Sequence, residues 1–144
     1  MKTVRQVLNG KGYDILSVSP DMTVYDAIKS MAEHGVGALL VLDGEQLVGI
    51  ISERDYARKI ILQGRRSRET QVREIMTPDP VTVQPEDKVG TCMELMTDKR
   101  FRHLPVKEGD KLIGLISIGD AVKAIMSHQA FMIQQLEGYI GGQA

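Results

Sequence analysis

The chain of 144 residues contains two copies of one sequence pattern. Residues 47–55 read LVGIISERD and residues 112–120 read LIGLISIGD, so glycine, serine and aspartate recur at the same spacing. The same offset of 65 positions continues backwards without a gap, to about residue 16 in the first copy. A match of this length indicates an internal duplication, and the chain is therefore expected to fold as two similar small units.

Each copy predicts the same order of elements, β-α-β-β-α. A short extended run leads to Pro20 or Pro85 and an acidic residue, which is typical of a helix start. Two apolar runs joined by a glycine-containing turn follow, and they predict a β-hairpin. A last helix is expected to begin at Ser52 or Ser117. The predicted fold class is α+β, with the tandem repeats packed as a pseudo-two-fold pair.

The duplication also predicts how the chain is divided. We expect an N-terminal lead segment over 1–14, a first repeat over 15–64, a connector over 65–79, a second repeat over 80–127 and a C-terminal helical tail over 128–144. The tail carries a rough apolar stripe formed by Phe131, Met132, Leu136 and Ile140. A stripe left over after the repeats have packed needs a further partner, so a homodimer is expected.

Composition excludes several classes of protein. Apolar residues make up 42% and charged residues 26% of the chain, which is ordinary for a globular protein, and the net charge of −1 disfavours a nucleic-acid-binding surface. The single cysteine, Cys92, cannot form an intrachain disulfide. No apolar run has the length of a signal peptide or a membrane span. We expect a cytoplasmic protein that binds neither nucleic acid nor membrane.

Motifs of catalysis are absent from the sequence. There is no phosphate-binding loop of the Walker type and no nucleophile-elbow motif, and the three histidines and one cysteine have no metal-ligand spacing. We therefore expect a protein that is not an enzyme and that holds no metal ion.

The duplicated motifs resemble those of a known family. GIISERD and GLISIGD, together with VREIMTPDPVTV and FRHLPV around the second copy, are similar to the motifs of CBS domains, which occur in pairs called Bateman modules. The resemblance extends from about residue 10 to about residue 127 and is greatest to stand-alone bacterial CBS-pair proteins. It implies two clefts between the repeats that bind adenine nucleotides.

The resemblance also implies which residues bind the ligand. The motif aspartate would hold the two ribose hydroxyls, with the serine near the ribose or phosphate. The first cleft would join Ser52, Arg54, Asp55 and Arg58 with Thr77, Pro80, Arg102 and His103. The second cleft would join Ile116, Ser117 and Asp120 with Tyr13, Ile15, Val36, Gly37 and Ala38. The positive charge of Arg54, Arg102 and His103 would then belong to the first cleft alone.

Two interpretations of the Ser-x-x-Asp motif stay open. A carboxylate can accept hydrogen bonds from both hydroxyls of a ribose, but the same spacing also forms a capping box that only closes a helix end. The first interpretation predicts a sensor that binds AMP, ADP, ATP or NAD(H) and signals to a partner protein. The alternative is a protein-docking module without a nucleotide. The arginines at 65, 66 and 68 are most simply a solvated loop, with an anionic ligand or partner as the lesser alternative.

Overall fold

A computed structural model describes residues 1–141 and divides the chain into two compact units. The first-repeat unit is Asp14–Val81, and the second-repeat unit combines Met1–Tyr13 with Thr82–Ala144. The lead segment therefore groups with the second repeat, although it precedes the first in the chain. The whole of the expected connector, 65–79, groups with the first repeat.

The elements follow one another in the order that the duplication predicts. They are α1 (Val4–Lys11), β1 (Ser17–Val18), α2 (Val24–His34), β2 (Ala38–Asp43), β3 (Gln46–Ser52), α3 (Glu53–Tyr56), a π-helical turn (Ala57–Ile61), a 3₁₀ turn (Ser67–Glu69), α4 (Val72–Ile75), β4 (Thr77–Pro78), α5 (Val89–Lys99), β5 (His103–Glu108), β6 (Lys111–Ser117) and α6 (Ile118–Gly141). The α+β class is confirmed. No helix among residues 1–141 is both long and apolar enough to cross a bilayer.

The first-repeat unit is a four-stranded sheet covered by α2. Strand β1 is parallel to β2, while β2–β3 and β3–β4 are antiparallel pairs, in the order β1-β2-β3-β4. One face of α2 is buried against this sheet because its apolar residues recur at helical spacing. The core contains Val18, Val24, Ala27, Met31, Leu39, Val41, Ile51, Ile60, Val72 and Ile75.

The second-repeat unit has the same hairpin, but the expected first strand is reduced to an isolated bridge. Strands β5 and β6 form an antiparallel hairpin, and Val83 makes only an isolated parallel bridge to Val106. Cys92 is buried on α5, where the helical pattern places it, and burial raises the pKa of its thiol to about 11. The expected helical tail is the C-terminal part of α6, and its last residues, 142–144, lie outside the described part of the chain.

The glycine of each duplicated motif lies beneath a side chain from a short helix. A Cβ atom on Gly114 would lie 2.9 Å from Cδ2 of Leu8, a residue of α1. A Cβ atom on Gly49 would lie 2.6 Å from Sδ of Met76, the residue directly after α4. Real Cβ atoms do not approach other atoms this closely. Close packing of α1 and α4 on the strands therefore accounts for glycine at both positions.

Candidate functional site

Ser117 and Asp120 form a reciprocal pair of hydrogen bonds at the start of α6. The backbone N–H of Asp120 donates to Oγ of Ser117 at 3.1 Å, and the backbone N–H of Ser117 donates to Oδ2 of Asp120 at 2.9 Å. The sequence folds this way locally because positions i and i+3 meet at the first turn of a helix, where backbone N–H groups have no partner within the helix.

The first copy has the same arrangement. Asp55 N–H donates to Oγ of Ser52 at 3.2 Å, while Ser52 donates from its backbone N–H and its hydroxyl to Oδ2 of Asp55 at 3.0 and 3.1 Å. The capping interpretation is thus confirmed for both motifs. An aspartate that caps a helix can still bind a ligand, because a carboxylate has about four lone-pair sites and can accept further donors.

Asp120 has a cationic neighbour from the N-terminal helix. The ammonium nitrogen of Lys11 donates to Oδ2 of Asp120 at 2.6 Å and to the carbonyl oxygen of Leu115 at 2.9 Å. Burial by itself would raise the pKa of Asp120, but the hydrogen bonds from Lys11 and Ser117 outweigh it and hold the pKa below the ordinary 3.8. The carboxylate is therefore ionised at neutral pH and can accept hydroxyl donors.

Asp55 has a cationic neighbour from the π-helical turn that follows α3. Nζ of Lys59 lies 3.5 Å from Oδ1 of Asp55, and it also donates to the carbonyl oxygen of Ile75 at 2.8 Å. Sequence reasoning missed both Lys11 and Lys59. The i,i+4 spacing could have indicated Lys59, whereas no local pattern connects Lys11 with Asp120.

His103 lies beside the second motif. It is opposite Ser117 in the β5–β6 hairpin, and the carbonyl oxygen of its neighbour Arg102 accepts the backbone N–H of Ile118 at 2.8 Å. Burial holds the pKa of His103 below 6.5, and the charges of Lys11 and Arg102 lower it further against the opposing effect of Asp120. His103 is therefore neutral at pH 7 and can both donate and accept a hydrogen bond.

The hairpin register gives the surroundings of the two serines within each repeat. In the first-repeat unit Ala38 is paired with Ser52, and the carbonyl oxygen of Gly37 accepts the backbone N–H of Glu53 at 3.0 Å. Arg102 and His103 occupy the corresponding places beside Ser117. The hairpin register pairs the first residue of one strand with the last residue of the next within the same repeat. The backbone of Arg102 therefore lies beside the start of α6, and the expected grouping of Arg102 and His103 with Asp55 stays a prediction.

Ile15 and Tyr13 divide between the two units. Ser17 is paired with Leu40 in a parallel register, and Ile15 precedes this strand in the first-repeat unit. Its expected grouping with Asp120 stays a prediction. Tyr13 belongs to the second-repeat unit, where its hydroxyl donates to Oδ1 of Asn9.

The remaining candidates differ in accessibility. Ile116 is fully buried opposite Leu104, so its side chain belongs to the core and only its backbone could reach a ligand. Thr77 is paired with Ile50 in the sheet, two residues before Ser52 on β3. Pro80 and Val36 are half-buried in the first-repeat unit, whereas Arg54 and Arg58 are exposed on either side of Asp55.

Metal ligation has no support in the described residues. No group of three or more histidine, cysteine, aspartate or glutamate residues within 1–141 is arranged to hold a metal ion.

The fold consists of two similar units, and in each an aspartate caps the helix that follows the hairpin. This arrangement defines a tandem regulatory module. The family model for the CBS domain matches residues 4–62 and 72–127, so the chain belongs to the CBS-domain family and carries a pair of these domains. The two matches begin at α1 and α4, the short helices that cover the motif glycines.

Relatives and solved structures agree with this membership. The mitochondrial CBS domain-containing protein CBSX3 of Arabidopsis thaliana is 49% identical, over 97% of this chain and 72% of the relative. A signal-transduction protein with CBS domains from Burkholderia ambifaria MC40-6 is 53% identical, with a TM-score of 0.85 over 89% of this chain and 96% of that one. Neither is named as an enzyme.

A more distant structure is similar in fold. The CBS domain pair of protein MJ0100 was solved in complex with 5′-methylthioadenosine and S-adenosyl-L-methionine. It is 21% identical, with a TM-score of 0.75 over 86% of this chain and 99% of that one.

Proposed function

We propose that this CBS-domain pair is a sensor that binds an adenosine-containing ligand, AMP, ADP, ATP or NAD(H), at its Ser-x-x-Asp motifs and signals the bound state to a partner protein. The observation that carries the proposal is the duplicated helix start. In both units an aspartate accepts a backbone N–H, keeps acceptor capacity and lies beside the first residue of the hairpin. The adenosine compounds bound by the MJ0100 pair, a protein of the same fold, support this ligand class.

The chemistry of the motif suits a ribose. A carboxylate that is ionised accepts hydrogen bonds from two adjacent hydroxyls more strongly than a neutral acceptor does. The pKa of Asp120, held below 3.8, ensures that this charge is present at every physiological pH. The free N–H groups of the first turn of α6 and the cation of Lys11 add a favourable environment for phosphate.

Both motifs have basic residues nearby. Nζ of Lys11 contacts Asp120, and Nζ of Lys59 lies 3.5 Å from Oδ1 of Asp55, with Arg54 and Arg58 exposed on either side of that aspartate. We infer that either motif can accept the phosphate-bearing end of a nucleotide. A partner protein can respond only if the ligand binds two conformational states with different affinity.

A thermal-shift panel of AMP, ADP, ATP, NAD, NADH and S-adenosylmethionine tests the proposal. A ligand at a hundredfold excess over its dissociation constant stabilises the fold by about 2.7 kcal/mol. We expect at least one adenine nucleotide to raise the melting temperature, and Lys11→Met to weaken AMP binding more than adenosine binding. An unchanged melting temperature across the panel would reject the sensor and favour the protein-docking module without a nucleotide.

The exposed C-terminal part of α6 supports self-association. Met126, Ile133, Leu136 and Ile140 recur at intervals of seven, three and four residues, which places them on one face of the helix. Leu136 is 60% exposed and Ile140 is 71% exposed. Between Ala124 and Gly141 the sequence has one histidine, His128, and one acidic residue, Glu137, and no lysine or arginine. Charge repulsion therefore does not oppose the approach of a second copy. We infer that this face is the contact of a homodimer.

A further inference from the structure

The first-repeat unit contains a shallow hollow whose lining does not include Ser52 or Asp55. This hollow has a volume of about 480 Å³ and is lined by Tyr25, Tyr56, Ile60, Ile61 and residues 65–69. Small-molecule sites in proteins typically have volumes of about 300–1,000 Å³. The hollow is formed because the 3₁₀ turn Ser67–Glu69 packs against α2, opposite the π-helical turn that follows α3.

The wall of the hollow has more positive than negative charge. It includes the guanidinium groups of Arg65, Arg66 and Arg68, and the carboxylates that contact them belong to Glu69 and Glu74. Three cations face two anions. The lining itself holds three arginines and one glutamate, and Glu74, which lies outside the lining, pairs with Arg65, so one positive charge is left uncompensated. The whole chain, by contrast, has a net charge of −1.

The three arginines are engaged to different degrees. Arg65 is 2.6 Å from Glu74, and the guanidinium carbon of Arg68 lies 4.0 Å from the centroid of the Tyr25 ring. Arg66 is 3.5 Å from Glu69, and its side chain is 80% exposed. An exposed ion pair of this length is worth little, so Arg66 can turn to a ligand at small cost. Arg68 is held by the ring in a fixed place, with its donors available around the guanidinium edge.

The hollow does not belong to the duplicated pattern. The positions 65 residues further along the chain from its tyrosines and arginines are Gly90, Ala121, Ala130, Phe131 and Ile133. None of these carries a cation or a phenol. The capping motifs occur in both repeats, whereas the hollow occurs in one. We therefore expect its ligand to differ from the adenosine of the duplicated sites.

We propose that the hollow binds a small phosphomonoester with an aromatic or apolar body. The guanidinium groups of Arg66 and Arg68 hold the phosphate, since a planar fork of N–H donors matches two phosphate oxygens. The rings of Tyr25 and Tyr56 and the side chain of Ile61, which is 59% exposed, contact the apolar body. The volume falls within the range of small-molecule sites, and adenosine recognition plays no part.

NMR titration of the full-length, ¹⁵N-labelled protein with phenyl phosphate tests this site. Phenol and inorganic sulfate are the comparison probes, and ionic strength is kept constant because exposed charge interactions are screened by salt. We expect saturable amide shifts at Tyr25, Tyr56 and residues 60–69. The affinity for phenyl phosphate should exceed that for sulfate and for phenol by at least tenfold.

Matched arginine variants separate recognition from general charge. Arg66→Gln and the double variant Arg66→Gln/Arg68→Gln should lose phenyl phosphate affinity, the double variant by at least tenfold. Arg73→Gln removes an equal charge from the same unit, where Arg73 pairs with Asp21 outside the hollow, and should change the affinity by less than twofold. If the double variant does not fold, Arg66→Gln alone, at an exposed side chain, still decides the question.

Four results would overturn the proposal. These are the absence of saturable shifts, equal binding of sulfate or phenol, equal binding by the arginine variants, and shifts confined to the surroundings of Ser117 and Asp120. An octaglutamate peptide that bound the hollow more tightly than phenyl phosphate would also reject it and would assign the surface to an acidic protein segment. None of these outcomes depends on whether adenine nucleotides bind at the duplicated motifs.

Discussion

Nζ of Lys11 lies 2.6 Å from Oδ2 of Asp120, although 109 positions separate the two residues in the chain. The same ammonium group donates to the carbonyl oxygen of Leu115, so it fastens α1 to the end of β6 and the start of α6. The N-terminal helix is consequently part of the second-repeat site. It supplies the cation that keeps Asp120 ionised and that contributes to the neutral state of His103.

His103 should make stability depend on pH. Its pKa in the folded protein lies below 6.5, so on acidification the unfolded chain binds a proton at this position before the folded chain does. The contribution is fully present above pH 6.5 and is lost as the pH falls toward the lower pKa of the folded state. We expect the free energy of unfolding to fall less between pH 7.5 and pH 5.5 in His103→Gln than in the parent. Urea unfolding at both values measures this, and equal decreases would contradict it.

Asp120→Asn should separate helix capping from ligand binding. The amide oxygen can still accept the Ser117 N–H, but the charge and one acceptor for the ribose are lost. A hydrogen bond to a charged group contributes roughly 1.5–3 kcal/mol, and affinity should therefore fall about 10- to 100-fold. The measurement is calorimetric titration with the nucleotide that the thermal-shift panel identifies. Asp55→Asn makes the same test at the other motif.

Thr23→Ala is the matched control for that experiment. It removes a helix cap in which Thr23 accepts the backbone N–H of Asp26 at 3.2 Å, at the start of a helix that carries neither motif aspartate. Loss of the cap should cost about 1 kcal/mol of stability and leave nucleotide affinity unchanged. If both aspartate variants bind as tightly as the parent, the motifs are helix caps only.

Alanine at either motif glycine should destabilise the fold. At Gly114 the new methyl group would press on the end of the Leu8 side chain, and at Gly49 it would also lie 3.0 Å from the backbone oxygen of Thr77. Overpacking of this kind costs about 1–3 kcal/mol, and Gly49→Ala should cost more because a backbone atom moves less readily than a side-chain end. Gly90→Ala is the control, since the α5 position is open and alanine favours a helix. Urea unfolding that ranked Gly90→Ala as the most damaging would refute the packing argument.

Arg100→Gly should stabilise the second-repeat unit. Helix α2 ends at Gly35 with φ +64°, and at the corresponding end of α5 Arg100 adopts φ +59°. This left-handed conformation costs a residue with a Cβ atom roughly 1 kcal/mol, which glycine avoids. We expect the free energy of unfolding to rise by about this amount in Arg100→Gly and to fall in Gly35→Arg. A loss of stability in Arg100→Gly would show that the arginine side chain contributes more than the strain costs.

The apolar face of α6 should determine the oligomeric state. Leu136→Lys and Ile140→Lys place charges on the face defined by Met126, Ile133, Leu136 and Ile140, and should weaken self-association measured by analytical ultracentrifugation. Phe131 is 56% exposed but lies about half a turn from Ile140, given 3.6 residues per turn, so Phe131→Ser should leave the assembly intact. A monomeric parent protein, or equal weakening by Phe131→Ser, would remove this face as the contact.

The sequence alone determined the features that arise within a few neighbouring residues. The 65-residue offset predicted two similar units, and apolar spacing predicted the helices and hairpins, because each follows from the period of one element. The reciprocal bonds of Ser52 with Asp55 and of Ser117 with Asp120 were also available from the sequence. Residues three apart at a helix start meet in any fold, since backbone geometry brings them together.

Only the tertiary structure decided which distant residues meet. Lys11 reaches Asp120, and Leu8 covers Gly114, because α1 packs on the second repeat and not on the one that follows it in the chain. Hairpin register set Arg102 and His103 beside the start of α6. Such contacts depend on how whole apolar faces are buried, and the energy of that packing is shared among many residues, so no short sequence pattern encodes the pair.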